Sequence, residues 1–263
     1  MGMIKHQNMI QNWEKDFQIP SVFLAQNQKD FLHIHRINVR KNMDWVQNRK
    51  TCLSDEERAT HSRIVRPTDK NLFLTSKVGV KALCAAYLGC SAEEVLISQD
   101  KFEKPFLKNN YELHFNISHS GVWVMFAFSS RPCGIDVERI DPDFDFKELM
   151  GLVFHPAEIA HVLCSNTPRF EFFRLWTGKE SLLKAMGLGL VDNLAEVNML
   201  ADFKALPPNL LGFSSDWTVR DFLLEEDYFC SITYQVQGCG IKYFEFEEQL
   251  PIYPLSGKTE KGA

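Results

Sequence analysis

Leu113 to Glu138, L-H-F-N-I-S-H-S-G-V-W-V-M-F-A-F-S-S-R-P-C-G-I-D-V-E, decides the fold. L-H-F-N-I and V-W-V-M-F-A-F are rich in aromatic and β-branched residues and have strand length, so they predict two strands joined through S-H-S-G. S-S-R-P-C, residues 129–133, interrupts the pattern with polar residues and a proline, and G-I-D-V-E starts a fresh extended run. A strand pair, a break and a new strand put the join between two units inside this stretch.

Working outward gives the same division. Phe31 to Val39, F-L-H-I-H-R-I-N-V, alternates apolar and polar residues and predicts a half-buried strand with His33 and His35 on one face. No third ligand lies near that pair, so both are expected to be plain surface histidines. Ser54 with Glu57 is a capping box, and Thr68 opens a longer helical pattern that Gly89 stops. Ser91 with Glu94 offers another capping box before an extended V-L-I-S. Downstream, one helix begins near Pro156 and another runs from Pro168 to about Met186, where Gly187 stops it. D-W-T-V-R-D-F-L-L and Y-F-C-S-I-T-Y-Q-V then predict an antiparallel pair around E-E-D, followed by K-Y-F-E-F-E. Strand, two helices, glycine stop and antiparallel meander therefore occur twice. The expected fold is α+β, with similar halves at residues 1–131 and 132–263. The polar tail L-S-G-K-T-E-K-G-A is expected to fray.

The 263 residues are 45% hydrophobic and 24% charged, which allows a sizeable core. A formal net charge of −5 gives no global field towards nucleic acid, so an anionic ligand must meet a local basic patch. The seven cysteines contain no C-x-x-C pair and are read as reduced and mostly buried. The first residues lack the apolar stretch of a signal peptide, and no apolar run has the length of a membrane span. The expected compartment is the cytoplasm.

Three short pieces carry chemistry. In G-I-D-V-E, Asp136 and Glu138 are two apart in an extended stretch and point to one side. Alone, such a pair is a solvated strand face more often than a metal site, yet two hard oxygens suit Mg²⁺. In W-T-G-K-E-S-L-L-K, Glu180 and Lys184 share a helical face and Lys179 lies beside them. An exposed i,i+4 pair is the ordinary explanation; joined to Asp136 and Glu138, Glu180 becomes a third carboxylate and the lysines become phosphate partners, which describes a phosphoryl-transfer centre. In F-N-I-S-H-S-G, Ser118, His119 and Ser120 crowd a tight connection that can hold a phosphate. A turn whose serines cap backbone groups competes with that reading for Ser120, and without a G-x-S-x-G elbow or an acidic orienter a hydrolase triad is disfavoured.

In this order, F-N-I-S-H-S-G, G-I-D-V-E and W-T-G-K-E-S-L-L-K resemble the signature of the 4′-phosphopantetheinyl transferases of the larger, surfactin-synthetase-activating (Sfp) type. The resemblance spans roughly Lys104 to Leu190. It implies two halves forming an intramolecular pseudo-dimer with the active site in the cleft between them. It further implies that coenzyme A binds there, with Mg²⁺ held by Asp136, Glu138 and Glu180, and that the acceptor is a serine of an acyl or peptidyl carrier protein. Glu180, directly or through a metal-bound water, is the candidate to remove the serine proton, Lys184 to balance charge on the departing phosphate, and Lys179 to assist. Ser118, His119 and Lys104 match coenzyme-contacting positions.

The chain departs from the family pattern at Glu103, where Gly is usual before Lys104 and Pro105, and at Leu72, where an arginine is usual. Arg63, Arg66 or Lys70 are then candidates for the coenzyme 3′-phosphate. A Mg²⁺-dependent nuclease would also use clustered acids and a lysine, but the acidic net charge and the lack of a basic stripe count against it. A non-catalytic module binding coenzyme A or a carrier is the other alternative, and the intact set of carboxylates and lysines counts against that. Two halves that complete one cleft make a monomer the simplest expectation, and the acidic net charge and short apolar runs point to neither nucleic acid nor membrane as partner.

Overall fold

Alternate residues of the first strand are buried on both sides, and this places it in the middle of the molecule. The computed structural model describes residues 13–15, 30–109, 112–189, 194–200, 217–235 and 240–246. Strand β1 (Leu32–Asn38) directs Leu32 and Ile34 into one core and Ile37 into another. It is followed by the short helix α1 (Met43–Gln47), α2 (Asp55–Arg63) behind the Ser54–Glu57 capping box, and α3 (Pro67–Leu88). Pro67 starts α3, and Gly89 ends it with φ of 67°, a left-handed conformation that suits glycine. Two short strands, β2 (Ile97–Gln99) and β3 (Pro105–Leu107), form a separate hairpin; β4 (His114–Ser120) and β5 (Trp123–Ser129) complete the half. The Ser91–Glu94 motif closes only a turn, since the residues after it go on into β2.

The second half contains β6 (Cys133–Arg139), α4 (Phe146–Val153), α5 (Pro156–Cys164), α6 (Pro168–Met186), β7 (Thr218–Glu225) and β8 (Tyr228–Tyr234). Helix α4 was not visible in the sequence pattern. In one sheet the antiparallel order is β1–β5–β4, and in the other it is β6–β8–β7. Each half thus pairs its opening strand with the second strand of its later hairpin, which makes the repetition topological as well as sequential. The inner faces of the two sheets share one core, with Leu32, Ile34, Met125 and Ala127 meeting Ile135, Val137, Cys230 and Ile232. Helix α3 covers the outer face of the first sheet and α6 that of the second, giving four layers.

One strand crosses this division. The K-Y-F-E segment forms β9 (Ile241–Glu245), which pairs in parallel with β1 instead of extending the second-half meander. Arg36 donates to Glu245 at 2.6 Å across that pairing and so fixes the register. Residues 132–263 therefore do not make up a self-contained sheet. The polar tail and Cys239 lie outside the described residues; the other six cysteines are free thiols, four of them buried. Among the described residues no helix is long and apolar enough to cross a membrane.

His33 and His35 are not surface residues: they are only 6% and 2% exposed. Both face α3, where the Tyr87 hydroxyl lies 2.7 Å from His33 Nδ1 and 2.9 Å from His35 Nε2. The alternating pattern misleads here because a satisfied hydrogen bond lets polar residues occupy a core face. Burial, with Lys242 adding repulsion, pushes His33 down to about 4, and His35 is lowered by burial and by His33. The unfolded chain therefore binds protons before the folded one does, so stability is full above about pH 6.5 and lost as pH falls towards 4. The expected loss from His33 alone is about 3 kcal/mol across that window. Glu138, pushed up to about 7, acts in the opposite sense over the same window, so the check is a comparison: the urea midpoint of wild type should fall relative to that of His33→Gln between pH 7.5 and 4.5, and parallel profiles would contradict the assignment.

Candidate active site

Helix α6 is buried almost all the way round, so its few open positions define what it presents. Between Glu171 and Met186 only positions 174, 176, 180 and 184 are partly open, and Trp176, Glu180 and Lys184 form a stripe spaced four apart. The other faces are fixed by packing. Thr177 and Ser181 share hydrogen bonds of 2.7 Å with Ser231 and Thr233 of β8. Gly134 lets β6 approach the helix backbone, since a Cβ there would lie 2.1 Å from the Ser181 carbonyl oxygen. The same face of β6 carries Asp136 and Glu138, which brings them to the open stripe.

Lys184 Nζ donates to Asp136 Oδ1 at 2.6 Å and to Ser118 Oγ at 3.1 Å. Burial disfavours the Lys184 ammonium, but Asp136 first, then Glu180 and Glu138, outweigh it and hold its pKa above the ordinary lysine value. Burial and the Asp136 charge push Glu138 up to about 7 and raise Glu180 as well. Three acids around one ammonium carry two negative charges in excess when all are ionised, which matches a divalent cation. Two oxygens, Asp136 Oδ2 and Glu180 Oε1, are buried without a hydrogen-bond partner. The donors are hard and anionic, as Mg²⁺ requires. They converge on the lysine and not on a common point: among the described residues no three His, Cys, Asp or Glu side chains form a ready ligand group.

Strand β4 closes the site from the other half. S-H-S belongs to this strand and not to a turn; the turn is Gly121–Val122. Ser118 and Ser120 consequently face β6, while His119 points the opposite way and is exposed. Ser118 Oγ donates to Asp136 Oδ1 at 2.8 Å and accepts from the Val137 N–H and from Lys184. One hydrogen and two lone pairs are thereby all in use.

Against this geometry the likenesses to known proteins are specific. Residues 41–131 match the family model described as "4'-phosphopantetheinyl transferase, N-terminal", and residues 132–233 match that of the "4'-phosphopantetheinyl transferase superfamily". The 4'-phosphopantetheinyl transferase Sfp of Bacillus subtilis (strain 168) is 31% identical over 163 residues, 60% of this chain and 72% of that protein. The chain belongs to the 4′-phosphopantetheinyl transferase superfamily. Its likeness to the 4'-phosphopantetheinyl transferase gsp of Aneurinibacillus migulanus, 34% identical, spans 52% of this chain and 57% of that protein. That to the 4'-phosphopantetheinyl transferase HetI of Nostoc sp. is 27% identical and spans 80% of this chain and 90% of that one.

Asp136, Glu138 and Glu180 all act on Lys184, whereas two of the expected cations lie elsewhere. Lys179 is 0% exposed and points away from the cluster around Lys184. Its Nζ donates to the carbonyls of Val153, Leu194 and Val197 at 2.8, 2.9 and 2.6 Å, and pairs with buried Glu158 at 2.8 Å. One position along a helix turns a side chain by about 100°, enough to carry it from cleft to core. Lys104 donates to the Ala185 carbonyl at 3.0 Å and to that of Cys133 at 3.4 Å, so it caps the last turn of α6. Arg63 and Arg66 are exposed at the corner between α2 and α3, and Lys70 is partly so. Sequence reasoning missed Asn116 and the part played by Ser120. The signal was the matched spacing of S-x-S and D-x-E, which suits two strand edges lying side by side.

Proposed function

We propose that this chain transfers the 4′-phosphopantetheine arm of coenzyme A to a serine of an acyl or peptidyl carrier protein and releases 3′,5′-ADP. The observation that carries the reading is the seam cluster, in which Asp136, Glu138 and Glu180 surround Lys184 and leave two buried carboxylate oxygens unpartnered. Those three acids would hold Mg²⁺, which when bound neutralises charge on the pyrophosphate being cleaved. In the reaction the carrier serine oxygen bonds to the phosphorus next to pantetheine, the phosphoanhydride P–O bond breaks, and the serine proton must leave. Glu180, raised first by burial and then by Asp136, is a carboxylate suited to accept that proton. Lys184 stays protonated, is oriented by Asp136 and Ser118, and balances charge on the departing 3′,5′-ADP. Both sides of the seam come from one chain, which supports a monomer as the working unit.

The test is the intact mass of a purified apo carrier protein after incubation with this chain and coenzyme A, with Mg²⁺ or with EDTA. A gain of one phosphopantetheine with Mg²⁺ alone is the expected result. Several apo carriers left unmodified while coenzyme A binds would overturn it in favour of a binding module.

Acidity adds a second expectation. With Glu138 pushed up to about 7, first by burial and then by Asp136, protonation removes its charge below that pH. At limiting Mg²⁺ the transfer rate should fall about tenfold per pH unit on the acid side and level off above about 7, because the cation competes with a proton. A rate independent of pH from 5.5 to 8 at limiting Mg²⁺ would contradict this.

A further inference from the structure

The seam between the halves repeats one hydrogen bond three times. Asn116, Ser118 and Ser120, at alternate positions of β4, accept the backbone N–H groups of Ile135, Val137 and Arg139 at 2.8, 3.3 and 3.0 Å. The two strand edges thus run parallel and are joined by side chains instead of a backbone ladder. The serines do something further that Asn116 does not. Each donates its hydroxyl proton to the carboxylate of the residue just before the N–H it accepts: Ser118 to Asp136 Oδ1 at 2.8 Å, and Ser120 to Glu138 Oε2 at 3.1 Å. The same small ring, from hydroxyl to carboxylate to the next N–H and back, is therefore built twice.

Glu138 needs such a restraint. Its side chain has three rotatable bonds, it shares one face of β6 with the like-charged Asp136, and on α6 Trp176 donates a hydrogen bond to it while Lys184 faces it. Repulsion from Asp136 favours rotamers that swing the carboxylate away from the cluster. The Ser120 hydroxyl, itself fixed by the Arg139 N–H, opposes that swing.

We propose that Ser120 is a positioning residue, by which the first half holds Glu138 of the second half in the rotamer that the cation site uses. This rests on the transferase reading above. Within the second half Lys184 already holds Asp136 and Trp176 hydrogen-bonds Glu138, so the docked first half supplies a further anchor that fixes the Glu138 carboxylate from the opposite strand.

The test follows Mn²⁺, as a probe for the divalent site, titrated by electron paramagnetic resonance into the full chain with coenzyme A present, alongside thermal melting. Ser120→Ala should weaken Mn²⁺ binding by about tenfold, the scale on which outer-shell partners of metal ligands act. Ser120→Thr keeps the hydroxyl and should restore the affinity, while Ser120→Cys, similar in shape but a weak donor, should behave like Ala. Asn116→Ala breaks the same seam without touching a carboxylate, so it should lower the melting temperature and leave Mn²⁺ affinity unchanged. Unaltered Mn²⁺ binding in both Ser120→Ala and Ser120→Cys, or equal weakening in Asn116→Ala, overturns the proposal. A wild-type chain that takes up no Mn²⁺ with coenzyme A present overturns the transferase reading itself, and this assignment with it.

Discussion

Glu180→Gln is expected to slow phosphopantetheine transfer by about a thousandfold and to leave the folded state at least as stable as wild type. The two halves of that result have one cause. Glu180 is held among Asp136 and Glu138 with one oxygen buried and unpartnered, so its charge is a cost to the fold. A neutral amide of the same shape relieves that cost. In the proposed reaction the same charge would hold the cation and accept the serine proton. Losing both contributions is worth about 4 kcal/mol of barrier, which is about a thousandfold in rate. Single-turnover transfer measured beside urea denaturation checks the pair of effects. Transfer within tenfold of wild type, or a loss of stability matching the loss of rate, would refute the role given to Glu180.

Lys179→Ala is expected to do the reverse, destabilising the protein by about 3–5 kcal/mol without removing a group from the cluster around Lys184. The substitution leaves Glu158 charged at 0% exposure and deprives three carbonyls of their donor. Those acceptors come from the end of α4, from α5 and from the segment around residues 194–197, so a single amine ties three pieces of chain to α6. The variant should show a much lower urea midpoint yet transfer at near the wild-type rate wherever it remains folded. A stable Lys179→Ala protein with little activity would return this residue to the site.

These two neighbours show where sequence reasoning reaches its limit. Glu180 and Lys184 were legible because D-x-E and K-E-x-x-x-K have spacings that strand and helix geometry convert directly into shared faces. Lys179 was not, because α6 is buried on nearly every side and a helix without a polar face gives no sign of which way a given charge points. The capping box at Ser54, the glycine stops at positions 89 and 187 and the hairpin at E-E-D are local chemistry and follow from local pattern. The burial of His33 and His35 depends on Tyr87 at the far end of α3, and no alternation of residue types reports it. S-H-S looked like a turn because hydroxyls favour turns, but on this strand they serve a partner edge.

The placement of β9 was equally beyond local pattern, and it bears on how the protein is made. Arg36 and Glu245 are 209 residues apart in the chain. As synthesis proceeds, the first half can collapse around α3 while the β1 edge still lacks its neighbour, and that edge stays unpaired until residues 241–245 have emerged. An open strand edge is a template for intermolecular pairing, and a contact of such sequence separation forms slowly. The nascent chain is therefore at its most aggregation-prone when most of the residues proposed for the site are already in existence, and truncations that stop short of β9 should be recovered as insoluble protein.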